Sequence, residues 1–143
     1  MKKKHVSIIL PKTQNAGKRN WGIEKILVVI PRVLSLKELI IKKGKKGGLQ
    51  YHHKKNECGY LLSGKLKIRF DDGKGVLKYR ILKTGDCFHF PPGAIHQEEA
   101  LTECRIIEAS TPHFNDRVRV EENYGLRIKD GLPSTKIKQV QLR

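Results

Sequence analysis

The sequence predicts an all-β fold, built as a sandwich or barrel of short strands. Short apolar runs recur along the chain, and turn residues separate them at the close spacing that is typical of such folds. Residues 66–70 (LKIRF) alternate between apolar and polar side chains, as expected of a strand with one face in water. No segment of about 10 to 15 residues keeps the apolar period of a helix. Because the chain has 143 residues, we expect one domain with one core.

The positions of the strands follow from these runs and from the breaks between them. Residues 6–10 are expected to form a short edge strand, and residues 11–20 a loop rich in turn residues. No long helix is expected anywhere. Further strands are predicted at residues 26–33 and 35–41, on either side of Ser63 and Gly64, and at 76–82, 87–90 and 103–110. We therefore divide the chain into an N-terminal strand and loop (1–20), a barrel (21–125) and a basic tail (126–143) that is partly disordered or covers a neighbouring subunit.

Two polar stretches interrupt the strand pattern and carry the residues suited to chemistry. In the first, residues 48–64, His52 and Glu57 lie within one short polar run between apolar segments. In the second, residues 85–96, a tight Pro-Pro-Gly turn at 91–93 is followed by His96. Two imidazoles and a carboxylate brought together by neighbouring strands suit a divalent transition metal, such as Zn, Mn, Fe or Ni.

The spacing of Gly85, Pro91, Gly93 and His96 is similar to the second conserved motif of the cupin superfamily, and the first stretch resembles its partner motif. More narrowly, four segments resemble successive parts of the cupin domain of type II mannose-6-phosphate isomerases and of standalone cupins related to it. These segments are WG at 21–22, LQYHHKKNE at 49–57, IIEASTP at 106–112 and DRVRVEENYG at 116–125. The resemblance implies a single-domain jelly-roll β-barrel that covers roughly residues 21–125.

The first motif departs from the family pattern at one position. The pattern has His, any residue, His, and then Glu three residues further, and here these positions hold His52, Lys54 and Glu57. Adjacent strand residues point to opposite faces, so Lys54 should share the inner face with His52, and His53 should not. The metal is then held by His52, Glu57 and His96 alone, or the Lys54 ammonium occupies its position, pairs with Glu57 and binds substrate. A bulge that turns His53 into a replacement ligand is the less favoured alternative.

Three further residues are candidates for catalysis and substrate binding. Glu98 and Glu99 follow the second motif, and the one that faces the cavity would serve as a general base. Arg119 corresponds, by the resemblance, to an arginine near the substrate, and its planar fork suits a phosphate or a sugar oxygen. The ordinary alternative for Arg119 is a surface salt bridge to Glu121 or Glu122.

The charge of the chain favours an anionic partner. Its formal charge is +16, from 30 Lys and Arg against 14 Asp and Glu, and this sign attracts phosphates and nucleic acids. The lysine blocks are not interleaved with aromatic residues and no nucleic-acid-reading motif accompanies them, so nucleic-acid binding is not predicted. An anionic small molecule such as a sugar phosphate is the preferred partner, and a lysine-biased solvated surface is the alternative explanation.

The cysteine pattern and the short apolar runs favour a cytoplasmic protein. The three cysteines have no paired spacing, so we expect neither a disulfide framework nor a zinc ribbon. The apolar run at 6–10 is too short for a signal peptide, and no stretch is long enough to span a bilayer. Because cupin barrels commonly pair through edge strands, a homodimer is expected by analogy.

The resemblance implies a metal-dependent isomerase or epimerase that acts on a phosphorylated or nucleotide-linked sugar. Two other classes use the same residues. A non-catalytic sugar-binding cupin, for example one that accompanies a sugar nucleotidyltransferase, follows if Lys54 displaces the metal. A non-haem iron dioxygenase follows if the two histidines and the carboxylate bind iron with open positions.

Overall fold

The computed structural model describes residues 4–8, 14–128 and 141–142, and strands make up nearly all of its regular structure. Among these residues the one helical element is a short 3-10 helix at Glu121–Tyr124. The predicted all-β fold is therefore confirmed. The strands are β1 (Gln14–Arg19), β2 (Gly22–Ile30), β3 (Leu34–Ile41), β4 (Gln50–His52), β5 (Glu57–Ser63), β6 (Lys65–Asp71), β7 (Leu77–Lys83), β8 (Cys87–Phe90), β9 (His96–Ala100), β10 (Cys104–Ser110), β11 (His113–Phe114), β12 (Arg117–Arg119) and β13 (Gln141–Leu142).

Two antiparallel sheets form the body of the molecule in a jelly-roll arrangement. The larger sheet has the order β1-β2-β3-β10-β5-β8, and the smaller has the order β12-β4-β9-β6-β7. Strands that are distant in sequence lie side by side, as β10 does between β3 and β5. This topology brings the two polar stretches together, because β4 and β9 are neighbours in the smaller sheet and pair Gln50 with His96.

The inward positions change from apolar to charged along single strands. On β10 the side chains of Cys104 and Ile106 are fully buried in the hydrophobic core, and two residues further Glu108 is buried at a polar cavity. On β5 the order is reversed, with Glu57 at the cavity and Leu61 in the core. Since residues two apart share a face of a strand, the same strands support both regions.

The N-terminal part of the chain differs from the sequence-based expectation. Residues 6–8 are exposed and form no strand, and the rest of the expected edge strand, 9–10, lies outside the described residues. The stretch expected to be a loop contains β1, which pairs antiparallel with β2 and includes an irregularity between Asn15 and Gly17. An edge strand needs hydrogen-bonding partners on one side only and tolerates polar sequence, so the absence of an apolar pattern concealed it.

The inner face of β3 is partly polar. Its burial alternates as expected, but Ser35 and Lys37 point inward together with Leu39 and Ile41. The hydroxyls of Ser35 and Ser110 lie 3.0 Å apart and satisfy each other inside the molecule. Of the four inward residues, Lys37, Leu39 and Ile41 line the cavity.

The segment expected to be a basic tail contributes one strand to the described structure. The short strand β13 pairs antiparallel with β11, with His113 opposite Leu142 and Phe114 opposite Gln141. Among the described residues no helix combines the length and the apolar character that a membrane crossing requires.

Replacing Gly22 by alanine should destabilise the barrel. An added Cβ would lie 1.8 Å from the carbonyl oxygen of Ile40 on the neighbouring strand, so the backbone of β2 or β3 has to shift. We expect the free energy of unfolding to fall by about 2–3 kcal/mol, as for other overpacked sites. Urea unfolding followed by the fluorescence of Trp21, the single tryptophan, measures this change.

Gly47→Ala is the matched control for this substitution. No atom lies within 4 Å of a Cβ at Gly47, so its effect should stay within about 0.5 kcal/mol. Equal stability of the two variants would contradict the close packing of β2 against β3.

Candidate metal centre

Both sheets line a cavity of about 340 Å³. The larger sheet contributes Glu24, Lys37, Glu57 and Glu108, and the smaller contributes His52, His96 and Glu98. A volume of this size falls in the range that small-molecule sites occupy, and its walls are unusually rich in charge. The basic side chains that line it are Arg19, Lys37, Lys46, Lys55, Arg117 and Arg119, and the acidic ones are Glu24, Glu57, Glu98 and Glu108.

His52, Glu57 and His96 converge at one point on the wall of this cavity. All three side chains are buried, and their potential ligand atoms lie within 4.8 Å of one another. The Oε1 atom of Glu57 is 3.3 Å from Nε2 of His52 and 3.3 Å from Nε2 of His96. The structure thus brings together the three residues predicted as metal ligands.

The hydrogen bonds of the two imidazoles leave both Nε2 atoms available as ligands. Nδ1 of His52 donates to the carbonyl oxygen of Asp116 at 3.3 Å, and Nδ1 of His96 donates to that of Ala94 at 2.9 Å. Because a carbonyl only accepts, the proton of a neutral ring lies on Nδ1, and the lone pair of Nε2 points toward Glu57. Burial lowers the pKa of His52 and favours this neutral form. Two lone pairs facing a carboxylate oxygen fit a divalent cation between them.

One aromatic contact and one hydrogen bond of the preceding turn fix the position of His96. Its ring stacks on Phe90, with centroids 3.9 Å apart and planes inclined by 14°. The turn before it contains Gly93 at φ +84°, a backbone conformation that favours glycine, and the Gly93 N–H donates to the carbonyl of His52 at 2.9 Å. This hydrogen bond joins the two motifs directly.

The loop after His52 differs from the expectation for Lys54. The strand β4 ends at His52, and residues 53–55 curl around the buried carboxylate of Asp116. That carboxylate accepts the backbone N–H groups of His53 at 3.0 Å, Lys54 at 2.9 Å and Lys55 at 2.7 Å. Strand alternation therefore stops at His52, and the exposed Lys54 does not share its face. Among the described residues, the ligand cluster does not include His53 either.

Lys55 takes the inward position that the sequence analysis gave to Lys54. Its ammonium lies 2.5 Å from Oε2 of Glu57 and 3.1 Å from Oε1 of Glu108. Burial alone would lower the pKa of Lys55, but Glu108 and Glu57 outweigh it and raise that pKa above its ordinary value. For Glu57, burial opposes ionisation, but the ammonium of Lys55 brings its pKa well below the ordinary range. Glu57 is therefore ionised, with one oxygen toward the histidines and the other toward Lys55.

The two consecutive glutamates of β9 separate as strand alternation requires. Glu98 lines the cavity, and its Oε1 atom is buried with no hydrogen-bond partner among the described residues. Burial, together with Glu108 and Glu57, raises the pKa of Glu98 well above its ordinary value, which favours the protonated form. Glu99 points to the other side, with Oε2 3.5 Å from Arg69. Only Glu98 therefore has the position expected of a cavity base.

Arg119 lines the cavity and is also held by a buried ion pair. Its Nε donates to Oε1 of Glu121 at 2.8 Å, and the same carboxylate oxygen accepts the N–H of Leu49 at 3.1 Å. A Cβ at Gly48 would lie 2.4 Å from Nε of Arg119, so glycine is needed for this side chain to pass. Of the two carboxylates expected as partners, Glu121 is the one used, and the pair is buried and not on the surface.

A family comparison identifies the fold class of this site. The family model described as "Cupin domain" matches residues 37–110, which include all three candidate ligands. The chain belongs to the cupin family. No curated protein sequence matches it.

Solved structures show the same barrel in cupins of several descriptions. CapF from Staphylococcus aureus, described as a capsular polysaccharide assembling protein, is 23% identical with a TM-score of 0.59 over 66% of this chain and 29% of its own. Oxalate decarboxylase from Bacillus subtilis is 20% identical with a TM-score of 0.66 over 86% of this chain and 38% of its own. KdgF from Halomonas sp. is 20% identical with a TM-score of 0.59 over 73% of this chain and 94% of its own. This cupin spans less than a third of the length of CapF, and these likenesses show the fold.

An ion-pair network at the cavity of this cupin escaped the sequence analysis. Oε1 of Glu24 is 2.6 Å from Nζ of Lys37, and its Oε2 is 3.0 Å from Nη2 of Arg19. Burial would raise the pKa of Glu24, but Lys37 and Arg19 together lower it to about 2. The three residues lie on three adjacent strands. The one available signal was the lysine within LSLKELII, because a charged residue amid a strand needs a partner if it faces inward.

Replacing Glu24 by glutamine should reduce stability in a pH-dependent way. A pKa that is lower in the folded than in the unfolded protein stabilises the fold above pH 4.5, and this contribution disappears as the pH falls toward 2. We expect Glu24→Gln to lower the free energy of unfolding by about 2–3 kcal/mol at pH 7, with the difference shrinking below pH 4.5. Urea unfolding at several pH values measures it.

Glu38→Gln on the same sheet is the control. Glu38 pairs with Arg105, whose side chain is 47% exposed, so its removal should change stability by less than about 1 kcal/mol. A Glu24→Gln effect that is small, or that persists unchanged at low pH, would contradict the role of this network.

Proposed function

We propose that this cupin binds a divalent transition metal through His52, Glu57 and His96 and isomerises or epimerises a phosphorylated or nucleotide-linked sugar. The observation that supports this proposal is the convergence of two imidazole nitrogens and a carboxylate oxygen on the wall of a cavity that also contains Glu98. The carbohydrate class has a precedent for this fold, since CapF is described as a capsular polysaccharide assembling protein. A cytoplasmic location and a homodimer belong to the same proposal.

The reaction requires a proton to leave one carbon and to return either to its neighbour, in an isomerisation, or to the opposite face of the same carbon, in an epimerisation. A divalent ion in the site supplies Lewis-acid polarisation of the sugar carbonyl. Glu98 is the residue placed to carry the proton, because it is the cavity-facing carboxyl outside the ligand set that has an unsatisfied oxygen among the described residues. Burial and the nearby carboxylates of Glu108 and Glu57 raise the pKa of Glu98 and favour a neutral carboxyl, which suits proton return. Arg119 holds the anionic group of the sugar with its fixed guanidinium.

A non-catalytic sugar-binding role is the second candidate, and Lys55 favours it. Its ammonium already compensates Glu57, and a cation beside a dication weakens metal binding. Charged and polar walls around a small cavity would still bind a sugar without any metal. The two candidates therefore differ in whether an ion is bound and in whether a proton is exchanged.

The first prediction of the proposal concerns the metal. After reconstitution with Mn, Fe, Ni or Zn, the purified chain should retain an ion, and His96→Gln should weaken its binding by roughly a hundredfold or more through loss of a ligand. Elemental analysis and calorimetric titration measure both quantities. His89→Gln is the control, because His89 is exposed and bonds to Asn56. The affinity of this variant for the metal should equal that of the wild type. No retained ion with any of these metals would exclude the metal-dependent function.

The second prediction concerns the reaction. Metal-loaded protein in deuterated water should exchange the hydrogen next to the carbonyl of a sugar phosphate such as mannose 6-phosphate, detected by nuclear magnetic resonance. Glu98→Gln should slow this exchange by about a hundredfold or more, the usual effect of losing a general acid-base group. Glu99→Gln, which changes the neighbouring carboxyl outside the cavity, should change it less than about threefold.

The alternative functions predict different results for the same protein preparations. Sugar binding without exchange would indicate the non-catalytic cupin. Consumption of dioxygen by iron-loaded protein would indicate a dioxygenase. Equal losses in Glu98→Gln and Glu99→Gln would contradict the assignment of the proton carrier to the cavity-facing residue.

A further inference from the structure

Arg117 is a cavity residue with an unused hydrogen-bond donor. It lines the cavity at the start of β12, and its Nη1 atom is buried with no hydrogen-bond partner among the described residues. Buried polar groups are almost always hydrogen-bonded, and an unpaired guanidinium nitrogen is especially unfavourable. No role was predicted for Arg117 from the sequence.

The carboxylates near Arg117 are committed to other cations. Glu24 bonds to Arg19 and Lys37, and Glu57 bonds to Lys55. Two further cations, Arg19 and Arg119, act on Arg117 together with the carboxylates of Glu24 and Glu57. The cavity as a whole has six basic against four acidic lining residues. An anion is therefore the group that this part of the cavity lacks.

The position of Arg117 relative to the ligands is fixed by strand pairing. In the antiparallel pair of β12 and β4, Arg117 lies directly opposite His52. Directly opposed residues have Cβ atoms about 5 Å apart and project to the same face. A molecule that contacts the guanidinium therefore reaches the three candidate ligands without leaving the cavity.

Arg119 differs from Arg117 because it forms an ion pair inside the protein. The two residues share one face of β12, but Arg119 is held by the carboxylate of Glu121. The guanidinium of Arg119 is therefore fixed in its orientation, whereas the Nη1 atom of Arg117 has no hydrogen-bond partner among the described residues. Gly47 also lines the cavity, and no atom lies within 4 Å of a Cβ at this position.

We propose that Arg117 binds the oxyanion group, a carboxylate or a phosphoryl group, of a small polyhydroxylated ligand whose other end reaches His52, Glu57 and His96. A planar guanidinium pairs with either group through two parallel hydrogen bonds. This proposal rests on the proposed function and deepens it, because it adds Arg117 to Arg119 as a residue that binds the anionic group of the substrate. It requires the sugar cavity and does not require the metal.

Titration of the metal-free full chain at low ionic strength tests this site. The probes are D-glucuronate, D-glucose 6-phosphate and neutral D-glucose, which differ in the group offered to Arg117. We expect at least one of the two anions to bind at least about tenfold more tightly than glucose, and the preferred anion distinguishes a carboxylate from a phosphoryl group. Arg117→Gln should weaken binding of that anion by about tenfold to a hundredfold, because a charge-assisted pair is lost.

Arg80→Gln is the matched control, since it removes the same charge from an exposed position on β7. Its affinity for the anions should equal that of the wild type. Arg117→Lys, which keeps the charge without the fork, should bind with intermediate affinity and serves as the second variant if Arg117→Gln does not fold. Arg117→Gln should also melt at the same or a higher temperature than the wild type, because it no longer buries a cation with an unused hydrogen-bond donor.

Two results would overturn the site. One is equal affinity of the wild type for the anions and for glucose, and the other is unchanged anion affinity in Arg117→Gln together with a lower melting temperature, which would make Arg117 structural. Metal binding measured on the same preparations reports separately on the proposed function. If Arg117→Gln loses anion affinity and keeps its metal affinity, Arg117 is a substrate-binding residue. If the wild type binds the anion but retains no metal, the Arg117 site is supported and the metal-dependent reaction is excluded.

Discussion

The carboxylate of Asp116 is the contact on which the arrangement of the site depends. It is 1% exposed and accepts three consecutive backbone N–H groups from the loop that follows β4. The carbonyl of the same residue accepts Nδ1 of His52. One residue therefore ends the strand, selects which lysine turns inward and sets the orientation of a candidate ligand. A buried carboxylate without these donors would be strongly unfavourable, so the loop and the aspartate stabilise each other.

The candidate centre balances opposite charges within a closed space. Glu57 faces the histidines with one oxygen and Lys55 with the other, and Glu108 supplies the second partner of the lysine. An ammonium this close reduces the negative potential that a divalent ion would experience, and it keeps the second oxygen of Glu57 occupied. The affinity and the selectivity of the centre therefore depend on the Lys55–Glu108 pair as much as on the three ligands.

The hydrophobic core and the charged cavity lie at different positions along the same strands and not in different domains. The inward side chains of β10 proceed from core to cavity within five residues, from Cys104 to Glu108. Any displacement of such a strand would move a core residue and a cavity residue together. This shared support explains how a chain of this size holds several buried charges, since a packed core fixes the distances that make ion pairs favourable.

The sequence alone determined the features that depend on local pattern. The alternation of β6 predicted its faces, and the Pro-Pro-Gly turn and the motif spacings predicted that His52, Glu57 and His96 would meet. The polar edge strand β1 could not be predicted from local pattern. It is a strand because it pairs with β2, and its own composition does not indicate one.

Tertiary structure decided what long-range contacts control. Strand alternation placed Lys54 inside, but hydrogen bonds to Asp116, 61 residues beyond Lys55, bend the loop and bring Lys55 inward instead. Likewise, nothing local indicated that Arg117 would lie opposite His52 without a partner for its Nη1 atom among the described residues. The period of a strand is a property of neighbouring residues, whereas the direction of a loop and the satisfaction of a buried charge depend on groups that only the fold brings near.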